Sequence, residues 1–173
     1  CIDNSYVAQC GVTITSVCVN NVNEVILFHI LTTNLSIFNR EMLKKIVDKY
    51  RQKIIFYNVD EYLLNKCPLR EGDHVSLATY FRILMPDILP KSLNKVLYLD
   101  CDLVVCKNIK RLWDTDISTH SLGAVYDGGT DDIRTYNRLK YDIRQGYFNA
   151  GVLLVNLAYW REFHISNKLL KFI

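Results

Sequence analysis

The chain contains no C-x-x-C pair: its cysteines stand at 1, 10, 18, 67, 101 and 106. The four histidines, at 29, 74, 120 and 164, never fall at i and i+4. Zinc ribbons, zinc fingers and H-E-x-x-H metalloproteases are thereby excluded. Seven glycines and three prolines are too few for collagen-like or linker-rich sequence. Gly128-Gly129 lacks a surrounding G-x-G-x-x-G, so no dinucleotide fingerprint is present. No apolar run approaches the roughly 20 residues that span a bilayer. No run of five like charges occurs, and the net charge is only +3, which excludes nucleic acid as a partner.

Half of the 173 residues are hydrophobic, which supplies the core of one ordinary domain over residues 1–173. A disulfide scaffold is a poor fit to a chain of this length, so the cysteines read as reduced thiols, mostly small core hydrophobes in a cytoplasmic protein. The chain opens at Cys1 without a Met and closes at Leu169-Leu170-Lys171-Phe172-Ile173, within a helical pattern. Both ends therefore read as cut. A strand ahead of Asp3 is expected in the missing start.

Val7, Cys10, Ile14, Val17 and Cys18 recur at helical spacing between Tyr6 and Asn21. Val25–Leu31 is short, continuous and β-branched, as a buried strand would be. Met42, Leu43, Ile46, Val47 and Tyr50 form a second helical stripe, with Ser36 or Asn39 as its N-cap. Lys53–Val59 reads as a strand, and Val75–Met85 as a helix stopped by Pro86. Further strands are expected at Val96–Leu99, at Leu122–Tyr126, at Val152–Leu157 and, after a break, at Leu103–Val105. Alternating helices and doubly apolar strands predict an α/β fold with a mostly parallel sheet flanked by helices.

Sheets of this kind bind ligands at the carboxyl ends of their strands. Asp3, Asp100, Asp102 and Asp127 all stand just after apolar runs. Carboxylates there, without a phosphate loop, suggest a hard cation held by oxygen. In Asp100-Cys101-Asp102 the i, i+2 spacing lets two carboxylates face one ion. The spacing alone is cheap in a chain with 13 Asp, and Asp114-Thr115-Asp116 repeats it in what reads as a solvated turn. The setting after Lys95-Val96-Leu97-Tyr98-Leu99 distinguishes the first pair. Arg82, in Thr79-Tyr80-Phe81-Arg82, is either an ion-pair partner or a fork of donors for a diphosphate. Tyr147–Asn156 couples Asn149, Ala150 and Gly151 to a strand, where Gly151 permits close approach.

These stretches resemble the family 8 retaining glycosyltransferases of the glycogenin and lipopolysaccharide galactosyl/glucosyltransferase type. The resemblance is carried by Asp3-Asn4-Ser5-Tyr6, Cys10–Val17 and Thr79-Tyr80-Phe81-Arg82. It is most specific at Lys95–Asp102 and Tyr147–Leu157. It covers nearly the whole chain in order and is closest to bacterial lipopolysaccharide-core enzymes. It implies a nucleotide-sugar-binding (GT-A-like) fold and metal-dependent transfer of a hexose from a UDP-sugar, with retention, to a lipopolysaccharide or other cell-surface saccharide. Glycan or lipid-linked acceptors are implied, with peripheral contact at the inner membrane face through segments outside this chain.

By position, the resemblance makes Asp100 and Asp102 the ligands of Mn²⁺, with Mg²⁺ as a substitute. Asp3 and Tyr6 would lie by the uridine, Arg82 by the diphosphate or donor sugar, and Cys101 in the donor site. Asn149, Ala150 and Gly151 would line the donor sugar, and Asp127 would act near the sugars as a catalytic carboxylate. Ser5 stands where the family commonly has Asn. A downstream Asp-Gln-Asp-like segment and a later metal-binding His have no counterpart here.

Two other classes fit parts of the pattern. Asp100-Cys101-Asp102-Leu103-Val104 also suits the first motif of haloacid-dehalogenase-type phosphatases, with Asp131-Asp132 as a later acidic pair. Roughly 90 residues of preceding α/β pattern, and no evident Lys motif, weigh against it. The other alternative is a catalytically inactive UDP-sugar-binding module.

Overall fold

A computed structural model of the protein describes residues 1–65, 67–68, 77–127, 137, 140 and 142–173. One turn of 3-10 helix, Asn4–Tyr6, leads into α1 (Val7–Asn20). The Asp3 carboxylate starts it by accepting the Ser5 amide at 2.8 Å. Cys10, Ile14, Val17 and Cys18 then form the buried stripe of α1, as their spacing predicts, joined by Thr13, while Val7 is half-buried. Asn21 closes the helix from a fully buried position. Its Nδ2 donates to the Val17 carbonyl at 2.8 Å, and its Oδ1 accepts the Ile109 amide at 2.8 Å.

The strand β1 (Leu27–Thr32), helix α2 (Ile37–Lys49) and strand β2 (Lys53–Asn58) form a β-α-β unit. The strands pair in parallel from Leu27–Lys53 to Thr32–Asn58. Ser36, not Asn39, is the N-cap of α2: its hydroxyl accepts the Asn39 amide at 3.2 Å. Ile2, Cys10, Ile14, Ile30, Leu43 and Val47 make the core between α1, β1 and α2.

The expected helix at Val75–Met85 takes another form. Leu77–Leu84 is 3-10 helix and runs directly into α3 (Met85–Ile88). Pro86 does not stop it, because in a first turn the missing N–H leaves no bond unmade. Residues 75 and 76 lie outside the described residues.

Beyond α3 come β3 (Lys95–Leu99), α4 (Lys110–Trp113), β4 (Leu122–Tyr126), β5 (Phe148–Asn156), α5 (Leu157–Glu162) and α6 (Ile165–Phe172). The three strands form a second sheet in the order β3-β5-β4, and both of its pairings are antiparallel. The expectation of a mostly parallel sheet is therefore corrected: among the described residues, parallel pairing is confined to β1–β2. The misreading has a physical origin. Leu153, Leu154 and Val155 are buried in succession, so β5 is covered on both faces and shows no period of two.

Leu103–Val105 is likewise not a strand. Side chains of α1 satisfy its backbone instead: the Val105 amide donates to Ser16 Oγ at 2.9 Å, and Asn20 Nδ2 donates to the Val105 carbonyl at 2.8 Å. Asp114-Thr115-Asp116 is the turn expected of it, with Asp116 accepting the Ser118 amide at 2.8 Å.

The second core gathers Phe81, Leu84, Met85, Leu89, Tyr98 and Trp160 around β5. Arg161 fastens the chain leading into β3, its guanidinium donating to the carbonyls of Pro86, Leu89, Pro90, Lys91 and Leu93. An apolar cavity of about 510 Å³ is lined by Leu27–Leu31 of β1, Lys95–Leu99 of β3, and Ile14 and Val17 of α1. The Ile2 amide, at the same cavity, donates to the Leu31 carbonyl at 3.0 Å.

Candidate functional site

At the carboxyl end of β3 a second, smaller cavity of about 150 Å³ gathers charge and polarity. Asp3, Tyr6, Thr79, Arg82, Tyr98, Asp100, Cys101 and Asp102 line it, with Cys1, Ile2 and Ala78. Six of the residues singled out from the sequence thus meet at one place: Asp3, Tyr6, Arg82, Asp100, Cys101 and Asp102. They arrive from three elements. The start of α1 brings Asp3 and Tyr6, the 3-10 segment ahead of α3 brings Arg82, and the end of β3 brings the two carboxylates.

Asp100 is the most constrained of them. Its amide donates to the Gly151 carbonyl at 2.8 Å, continuing the β3–β5 ladder by one residue. Its Oδ1 accepts the Tyr98 hydroxyl at 2.6 Å and Arg82 Nη2 at 3.1 Å. Its Oδ2 takes no hydrogen bond among the described residues and lies where a Cβ on Gly151 would come within 3.0 Å. Asp102 is exposed, and its carboxylate has no hydrogen bond or ion pair among the described residues. Two carboxylates thus present unengaged oxygens to one polar cavity. That is the donor set a hard divalent cation prefers.

Arg82 is the ion-pair partner that its sequence context allows. Its side chain is 18% exposed and paired with Asp100. Nε donates to the Thr79 carbonyl at 2.9 Å and Nη1 to the Ala150 carbonyl at 2.7 Å, while the guanidinium stacks 4.6 Å from the centre of the Tyr98 ring. Three of its five N–H groups are spent on the protein, leaving one on each terminal nitrogen for an anion in the cavity.

The Asp100-Cys101-Asp102 pair does not lie on a strand. β3 ends at Leu99, and Cys101–Asp102 form a turn. Thr13 braces that turn: its hydroxyl lies 2.9 Å from the Cys101 carbonyl and 2.8 Å from the Leu103 carbonyl, and accepts the Leu103 amide at 3.1 Å. Burial raises the Cys101 thiol above its ordinary value and pushes Cys10, on the same wall of α1, up to about 12. Both remain neutral thiols near neutral pH. Burial, reinforced by the bond to Asp100 and opposed by the charge of Arg82, holds the Tyr98 phenol well above its ordinary value, so it stays a donor.

Of the β5 residues, Ala150 touches the site through its carbonyl and Gly151 through its closeness to Asp100. Asn149 is one step removed, its Oδ1 accepting the Gly151 amide at 2.8 Å. Asp127 follows β4 and donates its amide to the Tyr147 carbonyl at 2.8 Å, but it does not line the cavity. Asp131, Asp132, Gly128, Gly129 and His74 lie outside the described residues. His29, His120 and His164 are not among the lining residues. Among the described residues, no group of three His, Cys, Asp or Glu side chains is arranged to hold a metal ion.

Sequence reasoning missed Tyr98 and Thr13. Each carried a signal. Tyr98 stands at i−2 of Asp100 on a strand, hence on the same side. Thr13 is a polar residue on the apolar stripe of α1.

Comparison with known proteins supplies the family and the fold. A family model described as glycosyl transferase family 8 matches residues 1–173. General stress protein A of Bacillus subtilis (strain 168) is 27% identical over 175 residues, covering 100% of this chain and 60% of its own length. Lipopolysaccharide 1,3-galactosyltransferase of Salmonella typhimurium is 28% identical, covering 99% of this chain and 51% of its own length. The chain thus spans between 51% and 60% of these two relatives. Among solved structures, galactosyltransferase LgtC in complex with donor and acceptor sugar analogues superposes with a TM-score of 0.85 at 33% identity, over 93% of this chain and 58% of its own. WbbM, a bifunctional glycosyltransferase, superposes with a TM-score of 0.79 at 20% identity, over 99% of this chain and 33% of its own, a likeness of fold.

Proposed function

Because the chain belongs to glycosyl transferase family 8, we propose that it forms the donor-binding part of a metal-dependent retaining hexosyltransferase that uses a UDP-sugar. Its fold is the nucleotide-sugar-binding GT-A type. One observation carries the proposal. At the end of β3, an anchored guanidinium and two carboxylates with unengaged oxygens share a single polar cavity.

In this reading Asp100 and Asp102 hold Mn²⁺ or Mg²⁺, and the ion neutralises the charge that grows on the departing diphosphate. Arg82 directs its two remaining N–H groups at the same oxygens, already oriented by Thr79 and Ala150. Asp3 and Tyr6, fixed at the start of α1, border the uridine. Cys101 offers a neutral thiol to the donor, and Asn149, Ala150 and Gly151 line the sugar. The transition state has oxocarbenium character, as in glycoside hydrolysis. The family resemblance suggests attack on the face that UDP leaves, assisted by the departing phosphate. Asp127, at the end of β4, is assigned as a catalytic carboxylate near the sugars.

The acceptor is a glycan or lipid-linked saccharide, lipopolysaccharide or another cell-surface polymer. No helix among the described residues is long and apolar enough to cross a membrane. Cytoplasmic location with peripheral contact at the inner membrane face belongs to the same proposal. The phosphatase alternative gains no support from a family match that runs through residues 1–173.

A thermal-shift panel tests the proposal. UDP-glucose, UDP-galactose, UDP-GlcNAc and GDP-mannose are compared with and without Mn²⁺. At least one UDP-sugar should stabilise the protein in a Mn²⁺-dependent way, by about 2.7 kcal/mol at 100 times Kd. Equal shifts with and without Mn²⁺, or none from any UDP-sugar, would overturn it. UDP binding without turnover of any UDP-sugar by the whole protein would favour the inactive module.

Arg82→Lys should weaken donor binding, since an ammonium cannot present a fork. The structure adds a stability cost of about 1–3 kcal/mol, because the bonds to Thr79, Ala150 and Asp100 cannot all survive. Melting and UDP-sugar titration check both. A lowered melting temperature with unchanged donor affinity would reduce Arg82 to a structural residue.

A further inference from the structure

We propose that Tyr98 is a positioning residue that decides which oxygen of Asp100 meets the cation: together with Arg82 it occupies Oδ1 and leaves Oδ2 without a hydrogen bond among the described residues. The inference rests on the metal-site reading above and adds a single-oxygen contact at Asp100, enforced by a residue whose hydroxyl is committed to that carboxylate.

A carboxylate turns easily about its last bond, because that torsion is broad and roughly two-fold. Left alone, Asp100 could offer either oxygen or both. Here the choice is removed. The Tyr98 hydroxyl lies 2.6 Å from Oδ1, and Arg82 Nη2 lies 3.1 Å from the same atom. Two donors on one oxygen and none on the other fix the plane of the group.

The donors are themselves held. Tyr98 is 6% exposed in the core beside β5. Arg82 is tied to the Thr79 and Ala150 carbonyls and stacks on the Tyr98 ring. The backbone beneath is fastened by the Asp100 amide to the Gly151 carbonyl at 2.8 Å. Oδ2 then lies on the side of Gly151, where the absent Cβ leaves it clear. The cation therefore meets Asp100 through Oδ2 alone, and Arg82 keeps its partner on Oδ1 while a cation is bound. Ion pair and metal contact use different oxygens of one group.

Tyr98→Phe isolates the claim. It keeps the ring, its packing and the stack with Arg82, and deletes only the donor to Oδ1. The whole enzyme and its variants are titrated with Mn²⁺ in the presence of UDP, following free Mn²⁺ by electron paramagnetic resonance at 4 °C, well below melting. Mn²⁺ affinity should fall about 10- to 100-fold in Tyr98→Phe, the loss typical when partners that orient metal ligands are removed. At saturating Mn²⁺, kcat should return to within about 3-fold of the parent.

Tyr98→Leu, which also removes the ring, should weaken Mn²⁺ binding at least as much and lower the melting temperature as well. Unchanged Mn²⁺ affinity in Tyr98→Phe overturns the positioning role, whatever its melting temperature. Asp102→Asn run alongside separates the two levels. If Asp102→Asn loses Mn²⁺ while Tyr98→Phe does not, the site stands and the positioning claim falls. If neither variant changes Mn²⁺ binding, the metal site itself is misassigned and both fall.

Discussion

Asp102→Asn is expected to lower Mn²⁺-dependent hydrolysis of a UDP-hexose by about 100-fold or more, equivalent to about 2.7 kcal/mol of lost transition-state stabilisation. The size follows from the role. In the proposed reading, a cation that neutralises a leaving diphosphate would be held by the carboxylates of Asp100 and Asp102, and the substitution removes the charge of one. The fold should not notice. Asp102 is exposed and bonds to nothing among the described residues, so stability should change by no more than about 0.5 kcal/mol. That separates it from Asp100→Asn, which would also break the pairing with Arg82 and lower the melting temperature. Asp116→Asn is the control. Asp116 repeats the D-x-D spacing, but its carboxylate is committed to the Ser118 amide in a surface turn, and it should keep nearly full activity. Steady-state hydrolysis at saturating Mn²⁺ decides the matter. Equal losses at Asp102 and Asp116 would sink the assignment of the pair.

The contrast between those two pairs shows how far sequence reading reaches. What singled out Asp100-Cys101-Asp102 was the apolar run before it, and that run is β3. Helix α1 was legible because its buried stripe faces a core on one side only, and α2 because a Ser stood where a cap was needed. The direction of strand pairing was not legible. Burial on both faces erases the period that would mark an antiparallel strand, so β5 looked like its parallel counterparts. Leu103–Val105 failed for a related reason. Its composition suits a strand, but its backbone partners are Ser16 and Asn20 of α1, and partners distant in sequence leave no local signature. Pro86 misled because the same residue ends one helix and begins another, and only position tells which. In the site, the carboxylates and Arg82 were found as chemistry-bearing types. Thr13 and Tyr98 carried a positional signal, but the partners of their hydroxyls, the Cys101 and Leu103 carbonyls and the Asp100 carboxylate, are brought to them by the fold.

Gly151→Ala should cost about 10- to 100-fold in Mn²⁺-dependent donor use while lowering stability by only about 1–2 kcal/mol. Conformation is not the reason. Gly151 lies in β5, and its backbone does not need a positive φ. The reason is space. A Cβ built there falls 3.0 Å from Asp100 Oδ2 and 3.0 Å from Asn149 Oδ1, tighter than side chains ordinarily tolerate. One neighbour must move, and neither is free to do so at no cost. Asn149 Oδ1 accepts the Gly151 amide at 2.8 Å, and Asp100 is tethered at Oδ1 by Tyr98 and Arg82. The methyl group therefore displaces or covers the Asp100 oxygen that takes no hydrogen bond among the described residues.

Gly123→Ala in β4 controls for the general effect of adding a methyl group to this sheet. Its Cβ would meet Ile117 at 3.6 Å and Leu154 at 3.8 Å, ordinary contact distances. Such a change should be neutral, or stabilising by about 0.4–1 kcal/mol through the unfolded chain. Both variants are purified and melted, then titrated with UDP-hexose at saturating Mn²⁺. If Gly151→Ala retains full donor use, Oδ2 of Asp100 is not the oxygen on which the site depends. If Gly123→Ala loses as much as Gly151→Ala, the defect belongs to the sheet and not to the carboxylate.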